Sequence, residues 1–126
     1  MEKVSMSHED YLEAIVMLGG SVNQPVRPVD IAAKCGVSKA SVSKALGVLK
    51  EKGLVVQPHY GHVSLTQEGL EYGQSVLERH ALLKRFLSNG LGIDEEEAER
   101  EACLIEHAIS DDAFEKWESF IRSLDL

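Results

Sequence analysis

Apolar residues recur at intervals of three or four along most of the chain, which is the spacing of side chains that share one face of an α-helix. The pattern predicts six helices, over residues 7–19, 28–36, 38–53, 66–88, 94–109 and 111–124. Between the third and fourth helices, the stretch LVVQPHYGHVSLT contains two β-rich runs around a Pro/Gly turn and predicts a small hairpin. The predicted fold is therefore mainly α with one small β element.

Residues that favour helix ends occur at several of these bounds. Ser7 and Ser38 are predicted N-caps, and Pro28 suits the first turn of a helix. Gly36 follows the second helix at a position where a left-handed backbone is expected. The second and third helices are therefore predicted to be joined by a tight turn.

Length, hydropathy and cysteine content restrict the class of protein. The 126 residues suffice for one domain, or for a small module plus a dimerising segment, and no apolar run approaches the length of a membrane span. The N-terminal sequence lacks the order of a signal peptide, and two cysteines do not suggest a disulfide framework. A cytoplasmic location without a membrane partner is expected.

The net charge of −8 at first argues against nucleic acid as a partner, but the charges are unevenly distributed. Residues 24–65 carry six basic and two acidic side chains, a net charge of +4, whereas residues 66–126 carry six basic and fifteen acidic ones, a net charge of −9. A local basic face can bind phosphates even when the whole protein is acidic. The middle of the chain is therefore the candidate nucleic-acid-binding segment.

This basic segment has the spacing of a helix-turn-helix. Ala32 is small, as expected where two helices cross closely, and Gly36 lies in the turn. Val37 and Val42 are expected to pack the second helix on the first. With the hairpin as a wing, the N-terminal part is predicted to be a winged helix-turn-helix.

The candidate DNA contacts are short hydroxyl, small and basic side chains, which suit phosphates, base edges and thymine methyl groups. They lie before the first helix of the motif, along the start of the second and at the tip of the wing: Arg27, Ser38, Lys39, Ala40, Ser41, Ser43, Lys44, Tyr60 and His62. The expected partner is a double-stranded DNA operator. The same elements could instead form a protein-interaction surface with its lysines in solvent.

A second motif lies in EACLIEHAIS, residues 101–110, where Cys103, Glu106 and His107 share one helical face at i, i+3 and i+4. A thiol, a carboxylate and an imidazole in this arrangement could be three metal ligands. They could also be a small buried cysteine beside two polar residues, since Glu106 taken alone is expected to be solvated.

Further candidate ligands lie on other helices. Asp10 and Glu13 are three residues apart on the first helix, and His80 lies in the apolar stripe of the long helix, so it is predicted to point inward. Each also has a structural explanation, because Asp10 suits a helix start and His80 could be a hydrogen-bonded core histidine. Spacing alone does not establish that these helices meet.

Several segments together resemble the metal-dependent repressors of the diphtheria toxin repressor and manganese transport regulator family. SHEDYLEAIVML resembles the first helix of that family, and VSKASVSKALGVLKEKGLV resembles its recognition helix and the entry to its wing. LTQEGLEYG and ERHALLKRFL are similar to its long linking helix, and EACLIEHAIS to the signature on its first dimerisation helix. The resemblance covers nearly all of the chain.

The resemblance implies a homodimeric repressor with a winged helix-turn-helix at 1–65 and a helical metal-binding and dimerisation domain at 66–126, which begins with a linking helix over 66–88. It implies metal-ligand positions at Asp10, Glu13, His80, Cys103, Glu106 and His107. The expected dimer interface uses apolar residues of the last two helices: Ile105, Ile109, Phe114, Trp117, Phe120 and Ile121. Alternatively, this apolar side only closes the core of the monomer.

The chain departs from the family pattern at the metal centre. Iron-type members have a methionine in place of Asp10, and manganese-type members have a glutamate in place of Cys103. The iron-type ancillary site is not supported, because two of its ligand positions are occupied by Lys84 and Glu99. A divalent transition metal is expected, with the thiolate favouring Fe²⁺ slightly over Mn²⁺ and with Co²⁺ or Zn²⁺ binding in vitro.

Two other classes of function remain at this point. A metal-independent winged-helix regulator that responds to a small organic ligand would not need the six ligand positions to converge. A metallo-hydrolase would need an open coordination position, a general base and a substrate cleft. The sequence contains no His-Glu-x-x-His arrangement, so the chain is not predicted to be an enzyme.

Overall fold

The computed structural model describes residues 6–58 and 61–126. The chain divides into two compact units, an N-terminal unit, Met1–Ser75, and a C-terminal unit, Val76–Leu126. The division falls inside the fourth helix, α4, which spans Gln67–Arg85.

The N-terminal unit begins with three helices that pack on one another. α1 spans Met6–Met17, α2 spans Pro28–Cys35 and α3 spans Lys39–Glu51. The apolar stripes predicted from helical periodicity supply its core. Among its fully buried side chains are Leu12, Ile15, Ile31, Val42, Leu46 and Leu49.

The turn between α2 and α3 is built as the sequence predicts. Pro28 lies in the first turn of α2, and Gly36 ends that helix with a left-handed backbone at φ 68°. Ser38 caps α3, because its hydroxyl accepts a hydrogen bond from the amide of Ser41 at 3.1 Å. These residues fix the short connection of a helix-turn-helix.

Two details of the predicted helices are wrong. α1 already begins at Met6, so Ser7 lies inside the helix and is not its N-cap. Val37 was expected to pack between the helices of the motif, but it is 38% exposed, whereas Val42 is buried at 1% exposure. Val37 follows directly after Gly36, whose backbone is left-handed.

The wing is a short antiparallel hairpin of β1, Val55–Val56, and β2, Ser64–Leu65. Val55 lies opposite Leu65 in its register. Just outside these strands, Val26 and Val63 form an isolated antiparallel bridge, with N···O distances of 2.7 and 2.8 Å. This bridge holds the loop before α2 against the wing.

Thr66 begins the long helix. Its hydroxyl accepts a hydrogen bond from the amide of Gly69 at 3.0 Å and donates one to the carbonyl of Gly53 at 2.7 Å. The α-helix α4 stops at Arg85, and the chain continues as a π-helical turn over Phe86–Gly90, which contains the predicted end of the long helix near residue 88.

The C-terminal unit contains the second half of α4, the π-helical turn and two further helices. α5 spans Glu95–Ala108 and α6 spans Asp111–Arg122, and the side chains of Asp94 and Ser110 cap them. Its core is a single apolar cluster of Leu82, Leu83, Leu87, Ala98, Ala102, Phe114 and Ile121. Together the two units confirm the predicted mainly helical fold with a small β-wing.

Candidate metal centre and DNA-binding surface

The three polar residues predicted to share a face of α5 come together in the C-terminal unit. Cys103, Glu106 and His107 each offer one ligand atom, and these atoms lie within 4.8 Å of one another. Glu106 is only 3% exposed, so the expectation that it is solvated when taken alone is wrong. A thiol, a carboxylate and an imidazole at this separation fit a divalent transition metal.

The carboxylate of Glu106 lies between two imidazole rings. Its Oε2 is 3.0 Å from Nδ1 of His80 on α4. Its Oε1 is 3.1 Å from Nε2 of the neighbouring His107. Burying an ionised carboxylate is costly unless positive charge accompanies it, so this cluster suits a cation.

The Nε2 side of the His80 ring contacts Glu99, which forms an ion pair with Lys84. Nε2 of His80 is hydrogen-bonded to Oε1 of Glu99 at 2.8 Å, and Nζ of Lys84 lies 3.1 Å from Oε2 of the same carboxylate. Partial burial opposes ionisation of Glu99, but the hydrogen bond from Lys84 and the charge of His80 outweigh it and lower its pKa. The hydrogen bond to Glu99 in turn raises the pKa of Lys84.

Arg79 of α4 contacts the end of α5 and the start of α6. Its Nη1 donates to the backbone carbonyl of Glu106 at 3.3 Å, and its Nη2 donates to Oδ1 of Asp111 at 2.9 Å. Its guanidinium carbon lies 4.5 Å from the centre of the Phe114 ring. One side chain of α4 therefore joins the end of α5 to the start of α6.

The two candidate ligands of the N-terminal unit lie on one face of α1. Asp10 and Glu13 are both partly buried and line a cavity of about 290 Å³, together with Lys34 and Cys35 of α2. Burial, followed by the negative charges of Asp10 and Glu13, raises the pKa of the Cys35 thiol. These neighbours make Cys35 a weakly ionised thiol.

Sequence reasoning missed a carboxylate on α1 that is more deeply buried than Asp10 and Glu13. Glu9 is 4% exposed, and its Oε2 accepts a hydrogen bond from the hydroxyl of Tyr72 on α4 at 2.5 Å. It also missed the ion pair between Lys84 and Glu99. One signal was present in the sequence, because these two residues occupy ligand positions of the iron-type ancillary site and carry charges of opposite sign.

The predicted DNA contacts of α3 form an exposed surface. Between residues 38 and 44, every side chain is exposed except that of the buried Val42. The exposed set is Ser38, Lys39, Ala40, Ser41, Ser43 and Lys44. The hydroxyl of Ser38 is already engaged as the cap of α3, so it has a structural role as well.

Arg27 and the wing border this surface. Nε and Nη2 of Arg27 donate to the two carboxylate oxygens of Asp30 at 2.8 and 3.0 Å. This hydrogen bonding lowers the pKa of Asp30 and raises the pKa of Arg27. His62 is exposed, and the predicted contact Tyr60 lies outside the described residues.

The residues predicted at the dimer interface divide into two groups. Phe114 and Ile121 are buried at 8% and 2% exposure, whereas Trp117 and Phe120 are exposed at 42% and 60%. Ile105 and Ile109 are partly buried against the apolar cluster of the unit. The two exposed aromatic rings border an apolar groove of about 240 Å³.

Among the helices of the described residues, none is both long and apolar enough to cross a membrane.

Relatives named as transcriptional regulators are similar to this chain over most of its length. An uncharacterised HTH-type transcriptional regulator of Methanocaldococcus jannaschii is 34% identical over 118 residues, or 94% of each chain. The transcriptional regulator MntR of Escherichia coli O6:H1 is 37% identical over 112 residues, which are 89% of this chain and 71% of that protein.

A solved structure of a transcriptional repressor is also similar to this chain. A manganese-dependent transcriptional repressor in complex with manganese matches with a TM-score of 0.78 and 32% identity, over 91% of this chain and 52% of its own. The chain thus spans about half the length of that solved protein.

Two family descriptions cover nearly the whole sequence. The N-terminal DNA-binding domain of the iron-dependent repressors matches residues 3–63, and their metal-binding and dimerisation domain matches residues 66–125. These matches do not support the metal-independent alternative. The chain belongs to the iron-dependent repressor family and is a metal-dependent, DNA-binding transcriptional repressor of the type that includes the diphtheria toxin repressor and the manganese transport regulators.

Proposed function

We propose that this chain is a cytoplasmic homodimer that represses metal-uptake genes when Fe²⁺ or Mn²⁺ is bound. The observation that carries the proposal is the buried carboxylate of Glu106. It lies 3.0 Å from an imidazole nitrogen of His80 and 3.1 Å from one of His107, beside the thiol of Cys103. A carboxylate buried beside imidazole and thiol groups is suited to a cation.

The principal ion would be held by four side chains, Asp10, Cys103, Glu106 and His107. Glu13, His80 and Glu106 would hold a second ion. The bound metal supplies positive charge that offsets the carboxylates. In its absence, negative charges of Asp10, Glu13 and Glu106 brought together at this site would repel one another, because like charges at short range are unfavourable.

The choice between iron and manganese depends on Cys103. Carboxylate and imidazole ligands suit both ions, whereas a thiolate is a softer ligand that favours Fe²⁺, Co²⁺ and Zn²⁺. The solved relative is manganese-dependent and was determined with manganese. We propose that the sulfur of Cys103 shifts the metal preference of this chain from Mn²⁺ toward Fe²⁺.

DNA would be read by α3 of each subunit. Its exposed hydroxyl groups and lysines would enter the major groove, while Arg27 and the wing, including Tyr60 and His62, would contact the adjacent backbone. The lysines would bind phosphates and the short side chains would approach base edges. Because two recognition helices must match two half-sites, the spacing between them decides whether the dimer binds.

Metal would act by fixing that spacing. Asp10 belongs to the unit that carries α3, whereas Cys103, Glu106 and His107 belong to the other unit. Ligands from both units would restrict their relative motion and so favour the arrangement that fits the operator. The coupling between metal and DNA is expected to be about 1–3 kcal/mol, the usual range for linked binding sites.

The test is a selection of genomic DNA fragments by the purified protein, anaerobically, with Fe²⁺, with Mn²⁺ and with a chelator. Wild-type protein and Glu101→Gln, which removes an exposed charge from the same helix, should retain the same fragments only with metal. His107→Ala should retain none above the chelator background.

Enrichment that is equal with metal and with chelator would contradict the proposal. It would favour a metal-independent regulator. Enrichment by His107→Ala at the wild-type metal concentration would contradict the assigned ligands.

A further inference from the structure

The geometry points to Glu99 and Lys84 as positioning residues that make His80 a metal ligand. They would fix the ring so that Nδ1 is presented to an ion shared with Glu106. This inference rests on the proposed function, because it concerns the second of the two proposed ions. It assigns a role to two side chains that occupy ligand positions without being ligands.

The hydrogen bond at Nε2 determines which ring nitrogen can bind a metal. An ionised carboxylate only accepts hydrogen bonds, so the contact of 2.8 Å between Nε2 of His80 and Oε1 of Glu99 places the hydrogen on Nε2. In a metal-bound ring, Nδ1 is then the nitrogen that binds the ion. A carboxylate behind the imidazole is the usual arrangement for histidines that bind metals.

Nδ1 of His80 faces the carboxylate that would share the ion. It lies 3.0 Å from Oε2 of Glu106, and the two side chains are 11% and 1% exposed. A nitrogen and an oxygen at this separation can both bind one ion, because each lies about 2.0–2.2 Å from a divalent transition metal such as Zn²⁺.

Lys84 completes the arrangement by fixing the carboxylate of Glu99. Its Nζ lies 3.1 Å from Oε2 of Glu99, so each oxygen of that carboxylate has its own partner. Lys84 also lies 3.7 Å from Oε1 of Glu95. With both oxygens engaged, the carboxylate cannot turn away from His80 without breaking a contact.

A purely stabilising role explains these residues less well. The side chains of Lys84 and Glu99 are 32% and 53% exposed, and ion pairs at such positions contribute little to folding stability. The effect of the pair is therefore expected in the orientation of His80 and in metal binding.

The test uses Zn²⁺, which is diamagnetic, with protein labelled with ¹⁵N at histidine. The ring nitrogens of His80 are observed by NMR in the loaded protein, and the stoichiometry and affinity for Zn²⁺ are measured by calorimetry. The variants are Glu99→Leu, which removes the acceptor, Glu99→Gln, which keeps a carbonyl oxygen, and Lys84→Met. Glu101→Leu, at an exposed position of the same helix, is the control.

In the wild type and in Glu101→Leu, Nε2 should be protonated, Nδ1 should show the shift of a metal-bound nitrogen, and two ions should bind per subunit. Glu99→Leu should lower the affinity for one of the two ions by about 10- to 100-fold, the usual effect of losing a hydrogen-bond partner of a ligand. Lys84→Met should lower the affinity for the same ion by less, and Glu99→Gln should retain most of the wild-type affinity.

Two results would overturn the inference. One is a Glu99→Leu protein that binds both ions as tightly as Glu101→Leu. The other is a protonated Nδ1 in the loaded wild type. Both can occur while one ion still binds at Cys103, so they leave the proposed function intact. Loss of all Zn²⁺ binding by the wild type would instead contradict the proposed function itself.

Discussion

Oε1 of Glu106 lies 3.1 Å from Nε2 of His107, although the two residues are adjacent in sequence and both side chains are almost completely buried, at 1% and 2% exposure. Adjacent residues on a helix point in directions about 100° apart, so one of a pair usually faces solvent. Here both face the interior of the same cluster. Two buried ionisable neighbours need a compensating interaction, which the proposed metal would supply.

Replacing Glu106 with glutamine should remove metal-dependent stabilisation. At a metal concentration 100 times its Kd, a ligand that binds only the folded state stabilises it by about 2.7 kcal/mol. Wild-type protein should show that increase in the free energy of unfolding when Co²⁺ is added, measured by urea denaturation monitored by circular dichroism. Glu106→Gln keeps the size of the side chain but loses its charge, and it should show almost no increase. An increase in the variant equal to that of the wild type would remove Glu106 from the ligand set.

Replacing Arg79 with methionine should weaken the C-terminal unit. The change removes two hydrogen bonds, to the carbonyl of Glu106 and to Asp111, and the contact with the ring of Phe114. The side chain of Asp111 is 82% exposed, so its ion pair with Arg79 contributes little to the free energy of unfolding. We expect a loss of about 1–3 kcal/mol in the free energy of unfolding, measured in the absence of metal.

Arg100→Met is the matched control for that measurement, because Arg100 is an exposed arginine of α5. It should change the free energy of unfolding by less than about 0.5 kcal/mol. Equal losses in the two variants would mean that the contacts of Arg79 are not stabilising.

Two glycines in helices should respond oppositely to substitution by alanine. A Cβ at Gly69 would overlap the backbone of Leu54, where α4 passes close to the end of α3. A Cβ at Gly47 would meet no atom within 4 Å. Gly69→Ala should therefore destabilise the protein by about 1–3 kcal/mol, whereas Gly47→Ala should stabilise it by about 0.5–1 kcal/mol. Thermal or urea unfolding of both variants measures the difference, and a neutral Gly69→Ala would contradict the close approach.

The thiol of Cys35 should ionise at a higher pH than an ordinary cysteine, whose pKa is about 8.5. Burial and the charges of Asp10 and Glu13 disfavour the thiolate, so its pKa is raised. The rate of alkylation by iodoacetamide, measured against pH in metal-free Cys103→Ala protein, should reach half its maximum above that value. Asp10→Asn in the same background should move the midpoint downward, because one repelling charge is lost. An unshifted midpoint in both proteins would contradict the environment described for Cys35.

Most of the fold was predictable because its signals are local. Amphipathic periodicity located the six α-helices found in residues 6–58 and 61–126, and Pro28, Gly36 and Ser38 marked the turn between α2 and α3. The errors occur where packing outweighs local preference. No local signal marks the change from α4 to a π-helical turn at Phe86, and none distinguishes the exposed Val37 from the buried Val42.

The candidate metal centre was predictable only in part. The spacing of Cys103, Glu106 and His107 places them on one face of any helix, so their proximity follows from the sequence. The contact between His80 and Glu106 depends on how α4 packs against α5, which periodicity does not determine. The same holds for Glu99, whose role depends on two residues of another helix, His80 and Lys84.

An anaerobic titration with Co²⁺ tests the central claim most directly, because a Co²⁺–thiolate absorption band reports sulfur in the coordination sphere. The matched proteins are the wild type, Cys103→Ala and Cys35→Ala, which differ only in which thiol remains. We predict a saturable thiolate band in the wild type and in Cys35→Ala and its loss in Cys103→Ala. A band that survives in Cys103→Ala, or a wild type that binds no Co²⁺, would contradict the account of a metal centre built around Cys103, Glu106 and His107.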